Sequence, residues 1–378
     1  MQQPPLTSPL VDLFLELCGL PSPPGEEREV ADRVAEYLRS LGVRVTEDDA
    51  GARIGSSAGN LYTRLTGSDG SGTPLLFCAH LDTVPPVGAL EPFVDEVGIV
   101  RNAGGTILGA DDKAAVAVML EAARRIVADG LPHAGVELLF TPMEEVGLQG
   151  ARAFDASALE AKAGFVYDQA APIGDVVLGA PYARTVEARF HGRAAHSGMY
   201  PEDGRSAIQA AARAISDLRL GRVDDVASAN VGLIEGGTSR NVVPEWCVLQ
   251  AEARSHDPET LATLVREMLE AFAYAASVSD CSVDTQVSDQ YSGYRFRRDE
   301  PAMLIAYDGL RGAGFEPRAI LSGGAADANV FNEAGLPCVN LANGMAEIHT
   351  PDEHIAVDDL EAMVEVTLGL VEAARSAA

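Results

Sequence analysis

His80-Leu81-Asp82 sets an imidazole and a carboxylate two residues apart, which on an extended chain puts both on one face. Alone, such a pair is more often a strand-end histidine beside a turn aspartate. Gly109-Ala110-Asp111-Asp112-Lys113 adds two carboxylates in a glycine-led turn ahead of a helix, where one Asp can cap while the other binds. Glu144-Glu145 joins two like charges. A solvated turn is the commoner origin of such a pair, but at the end of an apolar run it suggests a nearby cation. Asp168 closes the apolar run Gly164-Phe165-Val166-Tyr167 and would be expensive to bury without a partner. His349, in Glu347-Ile348-His349-Thr350-Pro351, supplies a second imidazole that by itself would read as a surface or capped histidine.

Together these groups are nitrogen and oxygen donors without sulfur, a set that zinc accepts with a position left for water. Two ions about 3.5–4 Å apart share a water, lower its pKa and polarise a carbonyl under attack. One carboxylate must then stay off the metals to take the proton and pass it to a leaving amine.

The elements that would position this chemistry are α/β in texture. Apolar runs at 74–79, 136–141 and 165–167 enclose a helical pattern at 113–129 that Gly130 closes. Strands apolar on both faces and separated by helices predict a mostly parallel sheet with ligands beyond its carboxyl ends. His80, Asp82, Glu144, Glu145 and Asp168 each follow such a run.

From Gly179 the pattern changes to period-two alternation at 185–191 and 247–254, with helical patterns at 206–218 and 258–277 and further strands at 229–234 and 282–287. That order spells a ferredoxin-like βαββαβ unit. A helix around 301–313 and a strand at 338–341 resume the first texture. The expected organisation is a discontinuous catalytic domain, 1–179 and 291–378, interrupted by an inserted domain at 180–290.

With 56 Asp and Glu against 28 Lys and Arg, the net charge of −28 repels phosphate backbones and anionic bilayers, so neither nucleic acid nor membrane is an expected partner. Cys18, Cys78, Cys247, Cys281 and Cys338 are scattered and odd in number, which argues against a disulfide framework or a thiolate metal site. No apolar run approaches the roughly 20 residues of a membrane span, and the first 20 residues have no basic start. The expected location is cytoplasmic, with the thiols reduced.

His80-Leu81-Asp82-Thr83-Val84, Gly109-Ala110-Asp111-Asp112-Lys113-Ala114, Glu144-Glu145-Val146-Gly147 and His349-Thr350-Pro351-Asp352-Glu353 resemble, in order, the motifs of the co-catalytic zinc exopeptidases. That family includes peptidase T, carboxypeptidase G, acetylornithine deacetylase and succinyl-diaminopimelate desuccinylase. The resemblance implies two Zn2+ ions per subunit, with Co2+ or Mn2+ as substitutes. It further implies that Asp111 bridges both ions, that His80 and Glu145 attend different ions, and that Asp168 and His349 complete the ligand sets. Asp82 would orient His80, Glu144 would be the general base, and the Asp111–Asp112 peptide would be cis. Gly192-Arg193-Ala194-Ala195-His196-Ser197-Gly198 is similar to the lid motif whose histidine, here His196, stabilises the oxyanion, and it implies a homodimer through the lid in which His196 serves the partner's site. Asn241, in the loop 236–244, would hold a polar group of the substrate, and Gly323 and Gly324 resemble a substrate-lining loop. Arg254 could clamp a carboxylate bidentately or form an ordinary surface ion pair.

The wording of Gly109–Lys113 and of Asn343-Gly344-Met345 looks closest to peptidase T, whereas Ser197-Gly198 after His196 follows carboxypeptidase-type members. The expected substrate is a short peptide and the expected activity a tripeptide aminopeptidase. A carboxypeptidase or N-acyl amino acid amidohydrolase is the alternative, and a metal-binding scaffold without catalysis is disfavoured by the complete set of ligands together with Glu144.

Overall fold

Three apolar runs become parallel strands because neither of their faces meets water. Leu75–His80, Val136–Thr141 and Ala163–Val166 are buried at every residue, the pattern of a sheet covered on both sides. The computed structural model that contains them describes residues 8–68 and 72–376. The sheet runs Val45–Glu47, Leu61–Leu65, Val136–Thr141, Leu75–His80, Ala163–Val166, Cys338–Asn340. Its last four strands are mutually parallel. The first two pair antiparallel, so the sheet is mixed rather than parallel throughout. Leu61–Leu65 alternates buried and half-buried residues, as a strand with one wetter face does. At the centre Phe77 meets Phe165 and Tyr167 at ring-centroid separations of 5.9 and 6.0 Å.

The helix Ala110–Asp129 ends at Gly130, whose left-handed φ of 62° lets its N–H reach the Ile126 carbonyl. Its start is irregular. Asp111 and Asp112 depart from helical angles, and the peptide between them is cis. The regular turns therefore begin at about Lys113, where the apolar periodicity places them.

The chain forms two compact units, one of residues up to 179 together with 295 onward, the other of residues 180–294. In the first, Ile355–Ala356 pairs with Ile99–Asn102, and Asp175–Ala180 pairs in parallel with Arg318–Leu321. These short pairings tie the late chain to the early chain. Helices Pro301–Gly312 and Val357–Ser376 approach closely at Gly309, where a Cβ would come within 2.8 Å of the Leu370 backbone nitrogen.

The 180–294 unit contains an antiparallel sheet in the order Gly221–Arg222, Ala227–Gly236, Trp246–Ser255, Tyr182–His191, Ser282–Tyr291. Helices Ala207–Asp217 and Pro258–Val278 complete a βαββαβ succession. The helices bury Ala210, Ala214, Leu264 and Phe272 against Val186, Ala188, Phe190 and Leu249.

Candidate metal centre

The carboxyl ends of the parallel strands gather the predicted groups. His80 is the last residue of Leu75–His80, Glu144 and Glu145 follow Val136–Thr141, and Asp168 lies two residues past Ala163–Val166. Asp111 enters from the irregular start of its helix, and His349 from the loop before Ile355–Ala356. His349 has a left-handed φ of 63°, an uncommon conformation that surrounding structure must maintain.

Asp111 stands between the two imidazoles. His80 Nε2 lies 3.2 Å from its Oδ1 and His349 Nε2 lies 3.1 Å from its Oδ2. His349 Nε2 is also 3.0 Å from Glu145 Oε1. Two groups of possible ligands result, His80 with Asp111 and Asp168, and Asp111 with Glu145 and His349, each with its ligand atoms within 4.8 Å of one another. Asp111 belongs to both. Glu144, buried beside them, belongs to neither.

His80 Nδ1 donates to the Asp82 backbone carbonyl at 2.9 Å, while the nearest carboxylate oxygen is 3.6 Å away. The donation places a proton on Nδ1 and turns Nε2 toward Asp111 and the cluster. The Asp82 carboxylate instead accepts the backbone N–H groups of Glu144 at 2.9 Å and Glu145 at 3.1 Å. Asp168 is held by Asn340, whose Oδ1 accepts its N–H at 3.0 Å and whose Nδ2 donates to its carbonyl at 2.7 Å.

So many acids in one buried place cannot all ionise unless positive charge is supplied. Burial, with Asp327, Glu145 and Asp82 nearby, pushes Glu144 well above the ordinary carboxylate range against the pull of His80. Burial, reinforced by Asp111 and Glu144, does the same to Asp168. Asp111 goes the other way, because hydrogen bonds from His349 and His80 outweigh its burial. Asp111 and Glu145 push the His349 imidazole up to about 10. A place this crowded with acids calls for positive charge, and the donor set of nitrogen and carboxylate oxygen fits divalent ions.

Three further carboxylates emerge that sequence reasoning left without a role. Asp112 accepts the His80 N–H at 3.4 Å, Asp327 accepts the Thr141 hydroxyl at 2.5 Å, and Glu353 accepts three backbone N–H groups around Asp111. Asp112 and Glu353 sit inside motifs already singled out, and Asp327 follows the Gly323-Gly324 loop at the start of the next helix. Only their burial, at 2% exposure or less, separates them from solvated acids.

Gly323 and Gly324 lie between Arg318–Leu321 and the short helix Asp327–Glu333, with open space where a Cβ would stand. The remaining predicted residues are on the 180–294 unit. His196 and Asn241 are neighbours there, since Ser197 donates its N–H to the Asn241 carbonyl at 3.0 Å. The exposed His196 accepts the N–H groups of Gly198 and Met199 on Nδ1 at 3.2 and 3.1 Å, so its Nε2 carries the proton. Arg254 is not gathered with them. It lies at the opposite end of the strand Trp246–Ser255 and pairs with Glu252 at 3.1 Å.

Residues 76–373 match the family model described as Peptidase family M20/M25/M40. An uncharacterized protein of Bacillus subtilis, YqjE, is 37% identical over 97% of this chain and 98% of its own. Peptidase T of Escherichia fergusonii is 27% identical over 72% of this chain and 67% of its own. Among solved structures, a tripeptidase from Staphylococcus aureus is 35% identical with a TM-score of 0.91, covering 97% of this chain and 98% of that one. The aminopeptidase PepT of Bacillus cereus is 38% identical with a TM-score of 0.87 and the same coverage. The motifs read from the sequence, the fold that carries them and these likenesses agree, and the chain belongs to peptidase family M20/M25/M40 as a hydrolase of peptide bonds.

Proposed function

We propose that the chain is a two-zinc aminopeptidase that removes the amino-terminal residue from tripeptides. The observation that carries this reading is the pair of ligand groups sharing Asp111, with Glu144 left outside both. His80, Asp111 and Asp168 would hold one cation, and Asp111, Glu145 and His349 the other. When bound, the cations would supply Lewis acidity, acidifying water and polarising the scissile carbonyl. Glu144, free of metal contact, takes a proton from water and delivers it to the departing amine. The resemblance of the chain to the Staphylococcus aureus tripeptidase and the Bacillus cereus aminopeptidase supports the substrate class.

The same proposal assigns His196 as the donor to the developing oxyanion, supported by its protonated Nε2, and Asn241 as a contact for the substrate backbone. Arg254 and the open Gly323-Gly324 loop are assigned to substrate binding by family resemblance. Assembly as a homodimer through the 180–294 unit, with His196 serving the partner's site, belongs to this reading, as does a cytoplasmic location, supported by five free thiols.

A substrate panel tests it. Purified protein loaded with Zn2+ should release free alanine from trialanine, act poorly on dialanine and fail on N-acetyl-trialanine, because an aminopeptidase needs the free amine. Cleavage of the acetylated peptide with trialanine untouched would move the assignment to an N-acyl amidohydrolase. Mixing His196→Ala with Glu144→Ala subunits should restore part of the activity under subunit exchange, and no restoration defeats the trans assignment of His196.

A further inference from the structure

Glu353 lies four residues after His349 and is 2% exposed. A carboxylate this deep is costly unless its oxygens are satisfied. Here Oε2 accepts the N–H groups of Leu108 at 2.8 Å and Gly109 at 2.9 Å, and Oε1 accepts that of Asp111 at 3.0 Å. The three donors belong to one turn, whose Gly109 has a φ of 79° and whose Asp111 is non-helical. These N–H groups are directed at a single acceptor. Charge-assisted bonds of this kind are stronger and geometrically stricter than neutral ones.

The turn carries Asp111, the residue common to both ligand groups, and the loop carrying Glu353 also carries His349, a member of one. Beneath the turn the buried Lys113 donates from Nζ to the Leu20 carbonyl at 2.6 Å. Its ammonium lies near Glu353 and Asp82 and compensates their charge.

We propose that Glu353 is a positioning residue for the cation pair: by clamping the Leu108–Asp111 turn to the His349 loop it sets the orientation of Asp111, so both cation positions depend on it. The inference rests on the two-cation reading above. It differs from a role in folding alone, which would leave cation affinity intact in any variant that folds.

The test is Zn2+ binding to the full chain by chelator competition, for the parent, Glu353→Gln, Glu353→Asp and His349→Ala, with thermal melting of the metal-free proteins alongside. Glutamine keeps the shape but presents N–H groups where an acceptor is required. It should weaken both ions together by about 10–100-fold while the metal-free melt is little changed. Glu353→Asp retains the charge and should recover part of the affinity, whereas His349→Ala should weaken one ion only. At saturating zinc, Glu353→Gln should lower kcat with KM nearly unchanged. Parental affinity for both ions in Glu353→Gln, or weakening confined to one, overturns the proposal. If neither Glu353 variant folds, the residue is a folding determinant and the proposal is equally overturned. A parent that binds fewer than two ions defeats the two-cation reading itself, an outcome distinct from either.

Discussion

The carboxylate of Asp82 accepts the backbone N–H of Glu144 at 2.9 Å, and its other oxygen accepts that of Glu145 at 3.1 Å. One buried acid therefore anchors both the candidate base and a candidate ligand. Asp82→Asn leaves one oxygen to accept and turns an amide N–H toward the second donor. Turnover and zinc retention should both fall, by about 10–100-fold each. Metal analysis after dialysis and a trialanine assay measure this, and an unchanged variant would show the anchoring to be dispensable.

Glu144 and Glu145 share a loop and a residue type but only Glu145 touches His349, at 3.0 Å. Glu144→Gln should cut turnover by about 10²–10⁴-fold with zinc retained. Glu145→Gln should lose zinc and regain part of its activity when zinc is added in excess. Zinc loss in the first variant with retention in the second would reverse the roles.

Burial pushes the Asp327 carboxyl up to about 6, against the hydrogen bonds it receives from Thr141 and Cys78. An unfolded Asp titrates at about 3.9, so ionisation costs the folded state. The associated stability is present below about pH 4 and is lost as pH rises through about 6. Asp327→Asn removes this titration. In urea unfolding with chelator present, its stability relative to the parent should therefore rise by about 2–3 kcal/mol between pH 4 and pH 7. A difference independent of pH would refute a buried, raised Asp327.

Chelation should destabilise the protein, because removing divalent charge leaves Asp111, Glu144, Glu145 and Asp168 crowded together. Restoring Zn2+ at about 100 times its dissociation constant should add about 2.7 kcal/mol by mass action for each ion bound. Calorimetric scans across a zinc titration measure the shift, and a melting temperature indifferent to zinc would speak against a metal centre in the folded state.

Local sequence was sufficient for the parts of this protein that burial alone decides. The runs at Leu75–His80 and Val136–Thr141 are mostly apolar and buried on both faces, so their strand character and their polar ends were legible. Gly130 marked the end of its helix for a comparable reason, since the left-handed cap favours a residue without a Cβ. The types of the metal-capable residues, and hence an oxygen-and-nitrogen site, were equally a property of the sequence.

Which of those residues meet was settled by chain crossings that periodicity does not encode. His349 reaches Asp111 across 238 residues and Glu353 reaches Leu108 across 245, through pairings such as Ile355–Ala356 with Ile99–Asn102 that are too short to leave a pattern. The antiparallel edge of the sheet escaped notice because Val45–Glu47 spans three residues. In the sequence Asp82 reads as a partner of His80, and Glu353 as a solvent-facing acid. Only the fold surrounds them with backbone N–H donors, and it is that local excess of donors which makes a buried carboxylate tolerable and turns it into a clamp.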